Sequence, residues 1–183
     1  VARTGATPVF VDCDPTHYLI DVQQAARRVT LRTRAIMPVH LYGQIAPMEQ
    51  VVEFASAHRL TIVEDAAQSH GAVRAGKCSG HWGVSAGISF YPGKNLGAYG
   101  DAGAVLTESP EVAQRLRGLR NYGSEVKYHH PETGFNSRLD TLQAVVLMAK
   151  LAHLETWNEV RRVAAARYDE MLAGVADITR PAI

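Results

Sequence analysis

Cysteine is nearly absent: Cys13 and Cys78 are the only two in 183 residues. A pair this far apart builds neither a disulfide framework nor a spaced metal site. The eight histidines include no H-x-H and no H-E-x-x-H spacing, which argues against a zinc centre. Net charge is missing too. Nineteen basic side chains against eighteen acidic ones leave +1, so no bulk field favours nucleic acid or an anionic membrane. Arg27, Arg28, Arg32 and Arg34 cluster, and they read as a solvated helix-and-turn face. No apolar run approaches the ~20 residues that a membrane-crossing helix requires. No signal-peptide pattern is present, and a reducing cytoplasm is the expected location. Phosphate-loop signatures fail as well. G-x-x-x-x-G-K-[ST] would need glycine where Ile88 stands and a hydroxyl where Asn95 stands, and G-x-G-x-x-G does not occur.

What is present is a globular composition, 46% hydrophobic and 20% charged, long enough for one sizeable core. Short apolar runs read as strands at 8–12, 35–39, 61–64, 86–90 and 103–107. Helical patterns lie between them. In 47–60, Met48, Val51, Val52 and Ala55 share one face; in 110–121, Ser109 is a candidate N-cap ahead of Val112, Leu116 and Leu119. This alternation predicts a three-layer α/β sandwich with a mostly parallel sheet. The last two strands follow each other without a helix, which predicts one antiparallel pairing. A long helix is expected from about Ser137 to Leu172, with a capping signature in "SRLD". The first residue is Val1 and the closing "GVADITRPAI" completes no element, so the chain is expected to be an internal piece of something longer.

Ligands of open α/β sheets gather beyond the carboxyl ends of the strands. Two strand ends here carry unusual chemistry. "TIVEDAAQSHGA" (61–72) runs from a strand into Glu64, Asp65, two alanines, Gln68, Ser69 and His70. "SFYPGKNLGAYGDAGAV" (89–105) sets one lysine, Lys94, among glycines and aromatics. The ordinary reading of such a lysine is a solvated turn residue. The alternative is a nucleophilic amine able to form a Schiff base with a carbonyl. Pyridoxal phosphate is the cofactor that uses this chemistry. It asks for an amine, a carboxylate facing the ring nitrogen, flat contacts on the ring and donors for the phosphate. Lys94, Asp65, Ala66 with Ala67, and Ser89 answer those needs.

These two blocks, with "RNYGSEVKYHHPETGFNSRLDTLQAVVLMAKL" (120–151), resemble the DegT/StrS-type nucleotide-sugar aminotransferases, a fold-type-I pyridoxal-phosphate family. The resemblance runs from "TGATPVFVDCDP" to the last helix. It implies that residues 1–155 belong to the cofactor-binding large domain and that 156–183 end a linking helix and begin a smaller domain. It implies that Lys94 bonds the cofactor aldehyde and then moves protons, that Asp65 meets the pyridine nitrogen, that Gln68 lies near the ring hydroxyl, and that Ser89 holds the phosphate. Asn136 in "GFNSR" is expected to reach the phosphate in the neighbouring subunit of a homodimer, although its position also suits a helix N-cap. The "FYPGKNLG" wording resembles members acting on 3-keto-6-deoxy sugars carried on a nucleoside diphosphate, with glutamate as amino donor. Two other readings stand beside it: a non-catalytic pyridoxal-binding regulator on the same fold, and a dehydratase, a branch in which histidine replaces the lysine. Members are about twice this length, so the piece alone is expected to bind cofactor weakly. His40 and His129 are weighed as possible ligand neighbours. Tyr122 and Tyr128 are expected to pack, and Cys78 beside His81 is expected to do nothing.

Overall fold

The computed structural model describes residues 1–183. After a single 3-10 turn at Ala2–Thr4, the chain forms a five-residue helix α1 (Val22–Ala26), whose cap Asp21 accepts hydrogen bonds from the amides of Gln23 and Gln24. Strand β1 (Ala35–Ile36), helix α2 (Met48–His58) and strand β2 (Thr61–Asp65) follow. A small hairpin, β3 (Val73–Arg74) with β4 (Lys77–Cys78), precedes strands β5 (Ser85–Ser89) and β6 (Gly103–Leu106). Three helices close the chain: α3 (Pro110–Leu119), α4 (Thr141–Leu151) and α5 (Leu154–Met171).

The main sheet has the order β1-β2-β5-β6. β1, β2 and β5 are parallel, and β6 runs antiparallel to β5, as the two strands without an intervening helix require. The fold is therefore α/β with a mixed sheet. Strand alternation gives this sheet two unlike faces. Ile36, Ile62 and Glu64 point into the core, where Ala25 of α1 and Met48, Val51, Phe54 and Ala55 of α2 cover them. The opposite face carries Val63, Asp65 and Ser89 and is bordered by Met37, 45% exposed. A second, smaller core joins Leu96 and Ala98 of the lysine loop to Leu147 of α4.

Several sequence expectations are corrected. Residues 8–12 are not a strand. Phe10 is 85% exposed, and nearby only Cys13 makes a bridge, to Ile20. An apolar run needs a partner ladder as well as a pattern, and this one has none in the chain. The buried face of α2 uses Phe54, while Val52 is exposed. The long C-terminal helix is two helices, broken at Ala152–His153. The first of them has Asp140 at its N-cap position, without a side-chain cap bond, so the helix starts after "SRLD" and neither Ser137 nor Asn136 caps it. Ser109 does cap α3, accepting from the Val112 amide at 3.2 Å.

Candidate active site

β2 and β5 are parallel neighbours, with Asp65 in register with Gly87. Their carboxyl ends therefore leave the same edge of the sheet side by side. An open cleft of about 320 Å³ lies there, and Asp65, Ala67, Gly87 and Ser89 all line it. Asp65 is held by an Asx turn in which Oδ1 accepts from the Ala67 amide at 3.1 Å, which leaves the other carboxylate oxygen for a ligand. Ala66, expected to share the ring contact, is fully buried; Ala67 is the alanine that faces the cleft.

Gln68 is oriented by the chain. Its Oε1 accepts from the Tyr42 amide at 2.9 Å, so its NH₂ is turned away to donate elsewhere. Ser89 Oγ accepts from the Tyr91 amide at 3.3 Å and keeps its own proton to give. From Ser89 the chain enters a tight turn in which the Lys94 amide donates to the Tyr91 carbonyl at 2.8 Å. A Cβ on Gly97 would lie 2.4 Å from the Pro92 carbonyl oxygen, so this close return of the loop demands glycine. Lys94 itself is half-buried.

His70 joins the two strand ends. Its Nε2–H donates to the Ser89 carbonyl at 2.8 Å. Burial chiefly lowers its pKa; the Ser89 bond opposes this, and the nearby charge of Lys94 lowers it further. The imidazole is thus favoured in its neutral form, and Lys94 is close enough for its charge to be felt there.

Asn136 stands apart from the other four. It bridges to Asn121, and its Oδ1 accepts from Arg138 Nε at 3.2 Å, with no hydrogen bond to the cleft. Beside it a cleft of about 520 Å³ is lined by Arg117, Arg120 and Arg138, with Glu125 its one carboxylate.

Residues 1–183 match the model of the DegT/DnrJ/EryC1/StrS aminotransferase family. The chain belongs to that family. It is 52% identical over 181 residues to the dTDP-3-amino-3,4,6-trideoxy-alpha-D-glucose transaminase of Streptomyces venezuelae, covering 99% of this chain and 48% of that protein. It is 51% identical over 172 residues to the pleiotropic regulatory protein of Geobacillus stearothermophilus, covering 94% of this chain and 46% of that one. The crystal structure of Streptomyces venezuelae DesV in complex with a ketimine intermediate superimposes with a TM-score of 0.96 at 52% identity, over 99% of this chain and 49% of that one. The chain thus spans about half the length of the curated relatives it matches, and its sheet is that of the fold-type-I large domain.

The remaining histidines and tyrosines fall away from the cleft or into other roles. His40 is fully buried on the core side of the sheet, where its Nε2–H meets Glu64 at 2.9 Å. His129 is exposed in the 126–129 turn. Tyr122 and Tyr128 do not pack as expected: Tyr128 is 85% exposed, and the two rings face the Arg138 and Lys127 cations instead. Cys78 lies exposed in β4 opposite Val73 of β3, and its carbonyl accepts from the His81 amide. Three polar side chains that hold the lysine loop gave no signal in the sequence. Gln143 accepts from the Tyr99 amide at 2.7 Å, Lys150 donates to the Gly97 carbonyl at 2.6 Å, and Asn158 bonds Asn95 at 3.0 Å. Each acts across more than forty residues of sequence, where no local pattern reaches.

Proposed function

We propose that the full-length protein is a pyridoxal-phosphate-dependent aminotransferase of a nucleoside-diphosphate-linked keto-6-deoxyhexose, with the keto group at the 3-position and glutamate as amino donor. The observation that carries this reading is the shared edge: Asp65 and Ser89 line one cleft, and the Lys94 turn issues from it. The residues fit the cofactor. A carboxylate oxygen of Asp65 is free for a protonated ring nitrogen, Ala67 and Gly87 leave room for a flat ring, and the Ser89 hydroxyl is free to donate to a phosphate. The Gln68 NH₂, left free while its Oε1 accepts from the Tyr42 amide, would donate to the ring hydroxyl. When bound, pyridoxal phosphate supplies an electron-accepting ring that lets an amino group pass from one carbon to another. Lys94 would hold it through its Nζ and, once displaced by an amino donor, its free amine would take the proton removed from the amino-bearing substrate carbon. The name of the Streptomyces venezuelae relative, a 3-amino sugar transaminase, supports the 3-position. The arginine-lined cleft beside Asn136 suits the phosphates of a nucleotide sugar.

Residues 156–183 would end the linking helix and begin the smaller domain, and Asn136 would serve the site of the other subunit in a homodimer. A non-catalytic regulator is the second reading, favoured by the name of the Geobacillus stearothermophilus relative. Two measurements on the full-length protein decide between them. Borohydride reduction and peptide mapping should find the cofactor on Lys94. Mass spectrometry of keto-sugar nucleotides incubated with glutamate should show an amino sugar, with Lys94→Ala lowering the rate by at least ~10³-fold. An unmodified Lys94 would end the cofactor reading, and a modified Lys94 without any amino sugar would favour the regulator.

A further inference from the structure

Helix α5 is exposed along most of its length, yet it contains one buried polar side chain, Asn158, 7% exposed. Its Nδ2 donates to the His70 carbonyl at 2.9 Å, and its Oδ1 accepts from Asn95 Nδ2 at 3.0 Å. A carbonyl oxygen can only accept, so the His70 contact fixes which way the amide points. Both partners belong to the candidate site. Asn95 directly follows Lys94, and His70 closes the turn that begins after Asp65. The backbone is shaped around the amide. Gly71 has φ +82°, and a Cβ there would lie 2.8 Å from Asn158 Nδ2. The His70 imidazole continues the chain of bonds to the Ser89 carbonyl. Lys94 therefore sits inside a circuit running Ser89, His70, Asn158, Asn95.

We propose that Asn158 is a positioning residue that registers the Lys94 turn against the Asp65 strand end. It ties both to α5 through one amide, which holds the lysine turn at a fixed distance from the segment that follows the carboxylate. No other side chain of α4 or α5 bonds both segments: Gln143 and Lys150 reach only the lysine loop. The link needs a donor and an acceptor on one short planar group. The substitution Asn158→Asp removes the donor toward the His70 carbonyl, and Asn158→Ala removes both bonds.

The proposal rests on Lys94 as the cofactor-bearing residue, and its test separates the two ideas. Full-length wild type, Asn158→Ala, Asn95→Ala and the double variant are compared by two readouts. The first is amide hydrogen exchange over residues 93–97 without cofactor, expected to be about five-fold faster in each single variant, the opening that one lost hydrogen bond allows. The second is the pH midpoint of the visible absorbance of the cofactor-loaded protein. It should move in both single variants and move no further in the double, because the two changes cut one link. If Asn158→Ala fails to fold, Asn95→Ala cuts the same link from the other end and decides alone. A lower melting temperature with unchanged exchange and midpoint would reduce Asn158 to packing and overturn the proposal, as would additive effects in the double variant. A wild type with no cofactor on Lys94 would instead remove the reading of the site, while the exchange data would still show whether Asn158 holds the turn.

Discussion

Glu64 and Asp65 are adjacent acids with opposite fates, because successive strand residues face opposite sides of a sheet. Asp65 meets the cleft, and Glu64 is buried in the core. A buried carboxylate survives only if its oxygens are satisfied. Here Oε2 takes His40 Nε2–H and the Gly80 amide, and Oε1 takes the amides of Trp82 and Gly83. His40 Nδ1 accepts from the Ala46 amide, which fixes the tautomer that donates to Glu64. Burial works to raise the Glu64 pKa, but the His40 bond and the three amides outweigh it and hold it below the usual 4.5. Its stabilisation is thus complete above pH 4.5 and is lost as pH falls from there through the lower folded value. Glu64→Gln turns an NH₂ toward donors and should cost about 3 kcal/mol. Urea unfolding across pH should show this loss near neutrality, together with a flatter acid limb than wild type. At this scale the site was half legible. Lys94 and Asp65 stood out because each follows an apolar strand at its carboxyl end, where ligands of open α/β sheets gather. Which of the two acids serves the core follows from strand register, and Asn158 emerges only from contacts across 63 and 88 residues.

Among the elements, the lysine turn has a shape that rests on a missing side-chain atom. Gly97 returns so close to Pro92 that a methyl group meets both the carbonyl carbon and its oxygen, at 2.8 and 2.4 Å. Neither atom belongs to a flexible side chain, so the turn itself would have to open. Gly97→Ala should therefore destabilise the protein by about 1–3 kcal/mol. It should also lower cofactor retention on Lys94, whereas Glu64→Gln acts on the other face of the sheet. Thermal unfolding with and without cofactor checks this: the stabilisation given by cofactor should shrink in the variant. The glycine-rich sequence announced such a turn, and the strands at 61–65 and 85–89 were readable as short apolar runs with turn residues around them. Helix α1 and the β3–β4 hairpin were not legible, since five residues and two pairs of two are too short to show a period. The break at Ala152–His153 was hidden as well, because the apolar pattern continues through it.

Taken whole, the molecule leaves surfaces that one chain does not cover. Met37, Val39 and Val105 are exposed beside the sheet edge that holds the cleft, and Val160, Val163 and Met171 are exposed along α5. Asn136 lies among exposed residues, bonded to Arg138 and not to the cleft. These facts fit the proposed homodimer, in which each site takes Lys94 from one chain and Asn136 from the other. A complementation experiment tests the arrangement. Full-length Lys94→Ala and Asn136→Ala subunits are each expected to be nearly inactive as homodimers. When they are co-refolded in equal amounts, half the dimers are mixed. A mixed dimer with shared sites places both substitutions in one site and leaves the other intact, so roughly a quarter of wild-type transamination should return. If each site were built within a single chain, every site in the mixture would carry one substitution and no activity would return. The same mixture read by borohydride trapping should label only the subunits that retain Lys94.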